Sequence, residues 1–524
     1  MSAPSLRRVR PEILLAWAAA GVGVIAVVSA LTPEMASRSD FVRGVLPPGV
    51  PTAARILALA FGLALVWLAR SLARRRRRAW QLAVILVSGA AAAHLAKGLD
   101  VEEAVISLAL LAALFRYRRR FDVPGDPSSV RPLIGTLSLL AAGLGGALLF
   151  DQRGWPFPER LDELVAAAGF VLGFRALYLW LRPFSQRVRQ GVEERRTARA
   201  IVEAEGRDSL SFFALRRDKS WFFSPSGRAF LAYRVVGGCA LVSGDLIGEE
   251  EEFDELLSEF RRVVHAHGWR LAFLGAADLE RYERLGLKAI KIGDEAVLRP
   301  CEFSLEGRAI RKVRQSVSRL EKAGYRFRMV ASAEADAALR AELELVSAQW
   351  RGNQPERGFT MAMDELYADP DIRFAIAEDA DGRVGGFLHL VPAPAGRGWS
   401  LSTMRRRPGT PNGLMEFLIA ETAAWARAQD VAELSLNFCA FRDLLLDEGG
   451  VVRRALRVGL LKADRVFQLE RLHSFNKKFF PEWRPRYLCI ERYADLPAVG
   501  LAYLRVEQLL TPPRPWARRP AARV

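Results

Sequence analysis

Six apolar runs, at about residues 13–31, 54–69, 80–96, 101–115, 132–150 and 161–181, fill the first third of this 524-residue sequence and limit what it can fold into. Each is near the length that carries an α-helix across ~30 Å of hydrocarbon. The run ending at Phe115 is the shortest and also fits a re-entrant segment, but the charges on its flanks favour a span. Arg7, Arg8 and Arg10 precede the first run, Arg70 and Arg74 to Arg78 follow the second, Arg116 and Arg118 to Arg120 follow the fourth, and Arg182, Arg187 and Arg189 follow the sixth. The connections between these clusters carry Glu34, Asp40, Asp100, Glu102, Glu103, Asp151 and Glu159 instead. By the positive-inside rule this alternation places both termini in the cytoplasm. Val28-Ser29-Ala30 resembles a signal-peptide cleavage site, but cleavage there would break the alternation, so an uncleaved helix is expected.

Inside the runs the ionisable side chains are few: His94, with Arg55 and Arg175 near the ends. Ion carriers and proton pumps place carboxylates or paired charges at membrane depth, so transport is disfavoured as the main activity. Gly143, Gly145 and Gly146 read as a helix-packing face. The formal charge of +17 suits a partner rich in phosphate, whether an anionic bilayer or a nucleic acid. Cys239, Cys301, Cys439 and Cys489 show no metal or disulfide spacing and are expected to be reduced.

From about residue 190 the pattern changes to short β-like runs alternating with amphipathic helices. Strands are expected at 229–233, 239–242, 271–274, 374–377, 386–391 and 434–436, and helices at 251–266, 308–323, 333–350, 414–428 and 451–475. This order indicates an α/β domain with a mixed sheet. The stretches before and after about Tyr325 repeat the same order, so a membrane domain of six helices at 1–185 is expected to precede two related units at 200–325 and 326–510.

Walker A, HExxH, GxSxG, DFG and Rossmann patterns are missing from the sequence, which leaves reactions that depend mainly on positioning. Arg405-Arg406-Arg407-Pro408-Gly409-Thr410-Pro411-Asn412-Gly413 leads into the helix expected from Leu414, and free amides at that helix start, backed by arginines, suit an anion. A coenzyme A loop of the form Arg-x-x-Gly-x-Gly/Ala fits Arg406 to Gly409, but Pro411 falls where the last small residue belongs and removes an amide donor. A solvated arginine turn is the plain alternative. Further on, the segment from Phe475 to Tyr487 interleaves cations with aromatics, suited to phosphate and base or acyl contacts, or to a core with snorkelling charges. Residues 451–467 carry Arg453, Arg454, Arg457, Lys462 and Arg465 among apolar residues, a pattern that fits either an anionic bilayer surface or packing on the domain.

At these residues the sequence resembles the phosphatidylglycerol lysyltransferase family, the aminoacyl-phosphatidylglycerol synthases of bacterial membranes. The resemblance is carried by Met404-Arg405 with Pro411-Asn412-Gly413-Leu414-Met415-Glu416, by Ser435-Leu436-Asn437-Phe438 running to Phe441-Arg442, and by Phe475-Asn476-x-Lys478-Phe479 with Pro481-Glu482-Trp483-x-Pro485-Arg486-Tyr487. Val242-Ser243-Gly244-Asp245, Phe303-Ser304-Leu305-Glu306-Gly307-Arg308 and Arg357-Gly358-Phe359-Thr360 extend it over roughly residues 205–495, in family order. The wording is closest to actinobacterial members, some of which carry a fused lysyl-tRNA synthetase; neither that fusion nor the flippase spans of longer relatives is expected here. Ser402 stands where members often have aspartate and His473 where tyrosine is common, which bears on amino-acid identity and rate.

The resemblance implies tandem acetyltransferase-like (GNAT) folds that move an aminoacyl group, with lysyl expected, from aminoacyl-tRNA to phosphatidylglycerol or a related anionic lipid. The product lowers the negative charge of the membrane and favours resistance to cationic peptides. No cofactor and no metal are expected. In this reading Arg405, Lys478 and Arg486 bind phosphate of the lipid or of the tRNA end, with Arg406 and Tyr487 beside them. Glu416 holds the substrate's α-ammonium or acts as base, and Asn412 and Asn437 orient the ester. A catalytically silent, membrane-anchored binder of tRNA or lipid, and an acetyl-CoA-dependent acyltransferase disfavoured by Pro411, are the competing expectations.

Overall fold

The computed structural model describes residues 11–32, 50–98, 101–152, 159–182, 184, 186, 188–352, 358–393, 397–440 and 472–509. The helix expected at 451–467 lies outside the described residues, as do Arg7, Arg8, Arg10, Arg187, Arg357, Phe441 and Arg442. Contacts separate one unit, Met1–Ser185 with His265–Trp269, from a second made of Gln186–Val264 and Arg270–Val524.

The first unit contains α1 (Pro11–Leu31), α2 (Val50–Leu72), α3 (Arg77–Gly98), α4 (Val101–Arg116), α5 (Val130–Gln152) and α6 (Glu159–Leu181). Among the described residues three stretches are long and apolar enough to cross a membrane: Pro11–Leu31, Arg55–Leu72 and Arg77–Leu95. Helix α4 has 16 residues, and the apolar stretch described in α6 is Ala167–Leu181. Leucines such as Leu65, Leu68 and Leu114 are buried between the helices, yet many large apolar side chains point outward. Small residues such as Ala19, Ala26, Ala83 and Ala90 are buried, whereas Trp17, Ile56, Leu63 and Ile85 are exposed, as expected of helices that pack by close contact and show large apolar groups to lipid. Helices α1 and α2 meet at Gly23 and Gly62, where a Cβ on either would come within 2.6 Å of the other's carbonyl oxygen.

The arginines after α2 also have structural work. Arg76 donates to the carbonyl of Leu181 at 2.8 Å, at the open C-terminal end of α6, where a cation meets unpaired carbonyls. Arg78 donates to Ser129 Oγ at 2.9 Å, and Arg75 pairs with Asp122 at 2.6 Å.

The second unit is built on one mixed sheet of twelve strands: β1 (Ser220–Phe223), β2 (Ala229–Val236), β3 (Cys239–Ser243), β4 (Ile247–Gly248), β5 (Arg270–Ala276), β6 (Lys288–Leu298), β7 (Arg326–Ala331), β8 (Arg373–Glu378), β9 (Val384–Ala393), β10 (Gly398–Arg406), β11 (Glu433–Ala440) and β12 (Glu482–Ile490). The helices are α7 (Val192–Glu205), α8 (Phe253–Ala266), α9 (Leu279–Arg284), α10 (Arg311–Lys322), α11 (Ala337–Arg351), α12 (Leu414–Ala428) and α13 (Leu496–Val506). The strand order is β1-β2-β3-β5-β12-β6-β11-β10-β9-β8-β7, with β4 on β2. Gly237 and Gly238, at φ 60° and 75°, make the tight β2–β3 turn that side chains would strain.

Two segments share one geometry. An antiparallel pair, β2–β3, continues through α8 to β5, which lies parallel to β3; likewise β9–β10 continues through α12 to β11, parallel to β10. The halves are laced together in the middle, because β12 inserts between β5 and β6 while β6 pairs onward with β11. One apolar cluster contains Phe230 and Leu241 together with Leu343, Phe374 and Val499; another joins Val313 and Leu320 of α10 to Phe417 of α12, Leu434 and Phe479.

Candidate functional site

Helix α12 begins at a loop that only glycine can close. Gly413 has φ 100°, and a Cβ there would come within 2.7 Å of the Ser316 Cβ on α10. No side chain caps the helix start, so its first amides stay available to an anion. Glu416 stands in the first turn, and Lys478, on the short turn Lys477–Phe479, reaches it with Nζ 2.7 Å from Oε1. The same ammonium lies 5.1 Å from the centroid of the Phe475 ring. Two residues distant by sequence thus form an acid–base pair at the mouth of an uncapped helix.

The three arginines before this loop separate by strand alternation. Arg405 turns inward, is buried, and donates to Ser347 Oγ on α11. Arg407 donates to Glu342 at 2.8 Å and to the Val384 carbonyl at 2.6 Å. Arg406 is half-buried, and its guanidinium makes no ion pair among the described residues. Asn412 is exposed, its carbonyl accepting from Arg319 at 3.1 Å. Arg405, expected to bind phosphate, thus lies buried against α11, and Arg406 is the loop arginine without an ion pair among the described residues.

Arg486, also expected to bind phosphate, is engaged within the fold. It sits on β12, 2% exposed, with every guanidinium N–H in use. Nε donates to Glu295 at 3.0 Å, Nη1 to Asp208 at 2.7 Å and to the Gly275 carbonyl at 3.3 Å, and Nη2 to Ser209 Oγ at 2.9 Å and to Glu295. None is left for a phosphate. Burial works against the Glu295 charge, but the Arg486 charge and the hydroxyls of Ser209 and Ser435 outweigh it and hold the carboxyl below its usual range. Tyr487, next on β12, is half-buried at the point where β12 shifts register against both neighbours. Arg484 is likewise committed, to Glu433 at 2.6 Å and Glu482 at 2.9 Å.

Asn437 does not present its amide to a substrate. Pairing of β10 with β11 ends at Ser400 and Ser435, and Asn437, at φ 67°, bridges the widening gap by donating to the carbonyls of Met361 at 2.5 Å and Leu401 at 2.8 Å. Asn437, expected to orient the ester, thus ties down a strap through its carboxamide N–H groups. The strap is the stretch 358–364: Glu507 accepts the amides of Gly358 and Phe359 at 2.7 and 2.9 Å, Arg216 donates to the Gly358 carbonyl at 2.8 Å, and Ser402 Oγ accepts the Met363 amide at 2.9 Å. His473 stacks on Trp483, centroids 4.5 Å apart.

Several residues escaped the sequence reading. Asp208 and Glu295 meet Arg486 across 278 and 191 positions, a separation that no spacing rule reveals. Asn476 is fully buried, with no partner for either carboxamide atom among the described residues, and its only signal was its place in the Phe475-Asn476-x-Lys478 motif. A cavity of about 320 Å³ lined by Glu203, Phe212, Asp371, Arg373 and Trp399 lies at the opposite, amino end of β10 and contains none of the expected site residues. Among the described residues no group of His, Cys, Asp and Glu could hold a metal ion.

Residues 199–490 match the family model described as phosphatidylglycerol lysyltransferase, C-terminal. A lysylphosphatidylglycerol biosynthesis bifunctional protein LysX from Rhodococcus jostii is 33% identical over 506 residues, which cover 87% of this chain and 45% of the relative. The chain spans about half the length of the curated relatives it matches first. Among solved structures, L-PGS from Bacillus licheniformis superposes with a TM-score of 0.56 at 23% identity, over 62% of this chain and 99% of that one. The C-terminal domain of a putative lysylphosphatidylglycerol synthetase from Agrobacterium fabrum gives 0.52 at 26%, over 59% and 95%. The first of these speaks for the fold alone, and the family match carries the rest: this chain belongs to the phosphatidylglycerol lysyltransferase family.

Proposed function

We propose that the protein transfers an aminoacyl group, lysyl in the first instance, from aminoacyl-tRNA to phosphatidylglycerol or a related anionic lipid. The product exchanges membrane negative charge for positive and favours resistance to cationic peptides. In this reading the helices of the first unit make six spans, with both termini and the sheet unit on the cytoplasmic side, where charged tRNA is found. The sheet unit is read as two acetyltransferase-like halves, at 200–325 and 326–510.

The observation that carries the mechanism is the Glu416–Lys478 pair at the uncapped start of α12. A glycerol hydroxyl of the lipid attacks the carbonyl carbon of the aminoacyl ester, and Glu416 takes the hydroxyl proton. The new C–O bond forms first, giving a tetrahedral oxyanion, and its collapse breaks the bond to the tRNA ribose oxygen, which receives the proton from Glu416. Lys478 and the first amides of α12 stabilise the oxyanion between these events. Ester is exchanged for ester, so orientation supplies most of the acceleration. Arg406 faces the anionic headgroup, with Asn412 and Tyr487 at the rim. Arg308, Arg311, Lys312 and Lys322, exposed on and before α10 and without ion pairs among the described residues, offer a phosphate-binding face for the tRNA.

Thin-layer analysis of lipids from a host expressing the gene tests the proposal. A ninhydrin-positive phospholipid that disappears with Lys478→Ala is the expected result; unchanged lipids alongside verified expression would favour a silent binder.

A further inference from the structure

The carboxyl end of β10 leads to the candidate site, and its amino end borders a separate cavity of about 320 Å³. Distant parts of the chain make its walls. The last turn of α7 supplies Val202 and Glu203, the turn Ser211–Leu215 supplies Phe212, the start of β8 brings Asp371 and Arg373, and the start of β10 brings Trp399. The volume is at the small end of the range for metabolite pockets, which combine apolar walls with a few placed polar groups.

The charges on these walls are not equally engaged. Glu203 and Asp371 are each held by Arg199 at 2.6 Å, and Arg199 also reaches Asp369. Arg373 is the reverse case: it is half-buried, with no ion pair and no hydrogen bond among the described residues. Its Cζ lies 5.4 Å from the centroid of the Trp399 ring and 5.6 Å from that of Trp425 on α12. The indole faces stabilise the charge, but they leave the planar fork of N–H groups, which matches one carboxylate, without an acceptor. Water meets such donors until an anion displaces it. The acids limit which anion that is. Three carboxylates share the one Arg199 guanidinium, so negative charge is in excess beside Arg373, and a dianion is repelled where a single charge is admitted.

We propose that this cavity is a binding site for a small organic monocarboxylate, with its carboxylate on the Arg373 fork and its apolar body against Trp399 and Phe212. The site uses none of the residues given a part in the transfer reaction and stands independently of that reading. Loss of the charge-assisted pair weakens binding roughly 10- to 100-fold.

Calorimetric titration of the full-length protein in neutral detergent micelles tests the site with indole-3-acetate, its neutral amide, and phenyl phosphate, which is a dianion at about pH 8. Saturable binding of indole-3-acetate is expected, with the amide and the dianion each at least ~10-fold weaker. Arg373→Gln should weaken the carboxylate ~10-fold or more, and Arg373→Lys, which keeps the charge but loses the fork, should weaken it less. Arg406→Gln, in the loop before α12, should leave the affinity unchanged. Any of four results would overturn the proposal: no saturable binding by wild type, equal affinity for acid and amide, phenyl phosphate binding as tightly as the carboxylate, or a loss with Arg406→Gln that matches the loss with Arg373→Gln. The comparison of acid with amide needs no variant, so it decides the matter even where Arg373→Gln fails to fold.

Discussion

The two halves of the sheet unit use one backbone plan with opposite charge. After β3 the chain runs Gly244-Asp245-Leu246-Ile247-Gly248 into Glu249 to Glu252 before α8; after β10 it runs through Arg405 to Arg407 and Gly413 into α12. In the first loop the acids are spent on local pairs, Glu250 with Arg207 at 2.6 Å and Glu252 with Arg228 at 2.6 Å. In the second, Arg405 and Arg407 bond within the fold and Arg406 makes no ion pair among the described residues. A βαβ crossover thus fixes where a site can be, while the loop residues decide which ligand sign it accepts.

That contrast can be broken most forcefully at the acid–base pair. Lys478→Ala and Glu416→Gln are expected to lower kcat by ~10²- to 10³-fold in steady-state transfer assays; wild-type rates in both would remove the second loop's claim to chemistry. Next come the glycines that close the two loops. Gly413→Ala meets both a left-handed φ and the Ser316 side chain, and should cost about 2–4 kcal/mol in denaturant unfolding. Gly244→Ala, whose Cβ would touch only Leu210 at 3.6 Å, should cost about 1–2 kcal/mol. Equal losses would mean that the α10–α12 contact is not what fixes the second loop. A smaller effect is expected from charge reversal: Arg406→Glu should raise the KM for lipid or tRNA ~10-fold, and Glu250→Arg should leave it unchanged.

The smallest effect concerns the seam between the halves. Lys219 is fully buried, donating to the Phe213 carbonyl at 2.6 Å and to Ser243 Oγ at 2.7 Å, and burial pushes its ammonium down to about 7. Below that value the group is charged in both folded and unfolded chains and the desolvation cost is felt in full. As pH rises from about 7 towards the unfolded value of 10.5, the folded chain gives up the proton first and gains stability. Relative to wild type, the Tm of Lys219→Met should therefore be higher at pH 6 than at pH 9; a difference independent of pH would show that burial does not lower the Lys219 ammonium and that it stays charged in the fold.

The fold class was legible because hydrophobic patterning reports it directly: the apolar strands 229–233, 239–242, 271–274, 374–377, 386–391 and 434–436 all lie in observed strands. Strands β1, β4, β7 and β10 were not among those expected, and neither were the central β6 and β12, because Lys288, Lys291, Asp294 and Glu295 in the one and Arg484, Pro485 and Arg486 in the other read as surface. At the centre of the sheet Glu295 and Arg486 satisfy each other across the β6–β12 seam, a pairing of residues nearly 200 positions apart, while Lys291 pairs with Asp294 inside β6 and Arg484 with Glu433 of β11. The site was legible only in part for a related reason. Glu416 and Lys478, both in the motifs, are brought together by the fold, whereas Arg405, Arg486 and Asn437, equally prominent in the motifs, bond to other strands, to α11 and to the strap. A motif marks that a residue is needed, and only its partners tell whether it meets substrate.

The most direct measurement is single-turnover transfer by the purified full-length protein in phosphatidylglycerol vesicles, supplied with radiolabelled lysyl-tRNA, with Lys478→Ala run in parallel. Label passing into the lipid fraction with wild type, and at least ~100-fold more slowly with the variant, is the outcome expected. Label that stays on tRNA, or that reaches lipid equally fast with both proteins, would contradict the assignment of transfer to the Glu416–Lys478 pair.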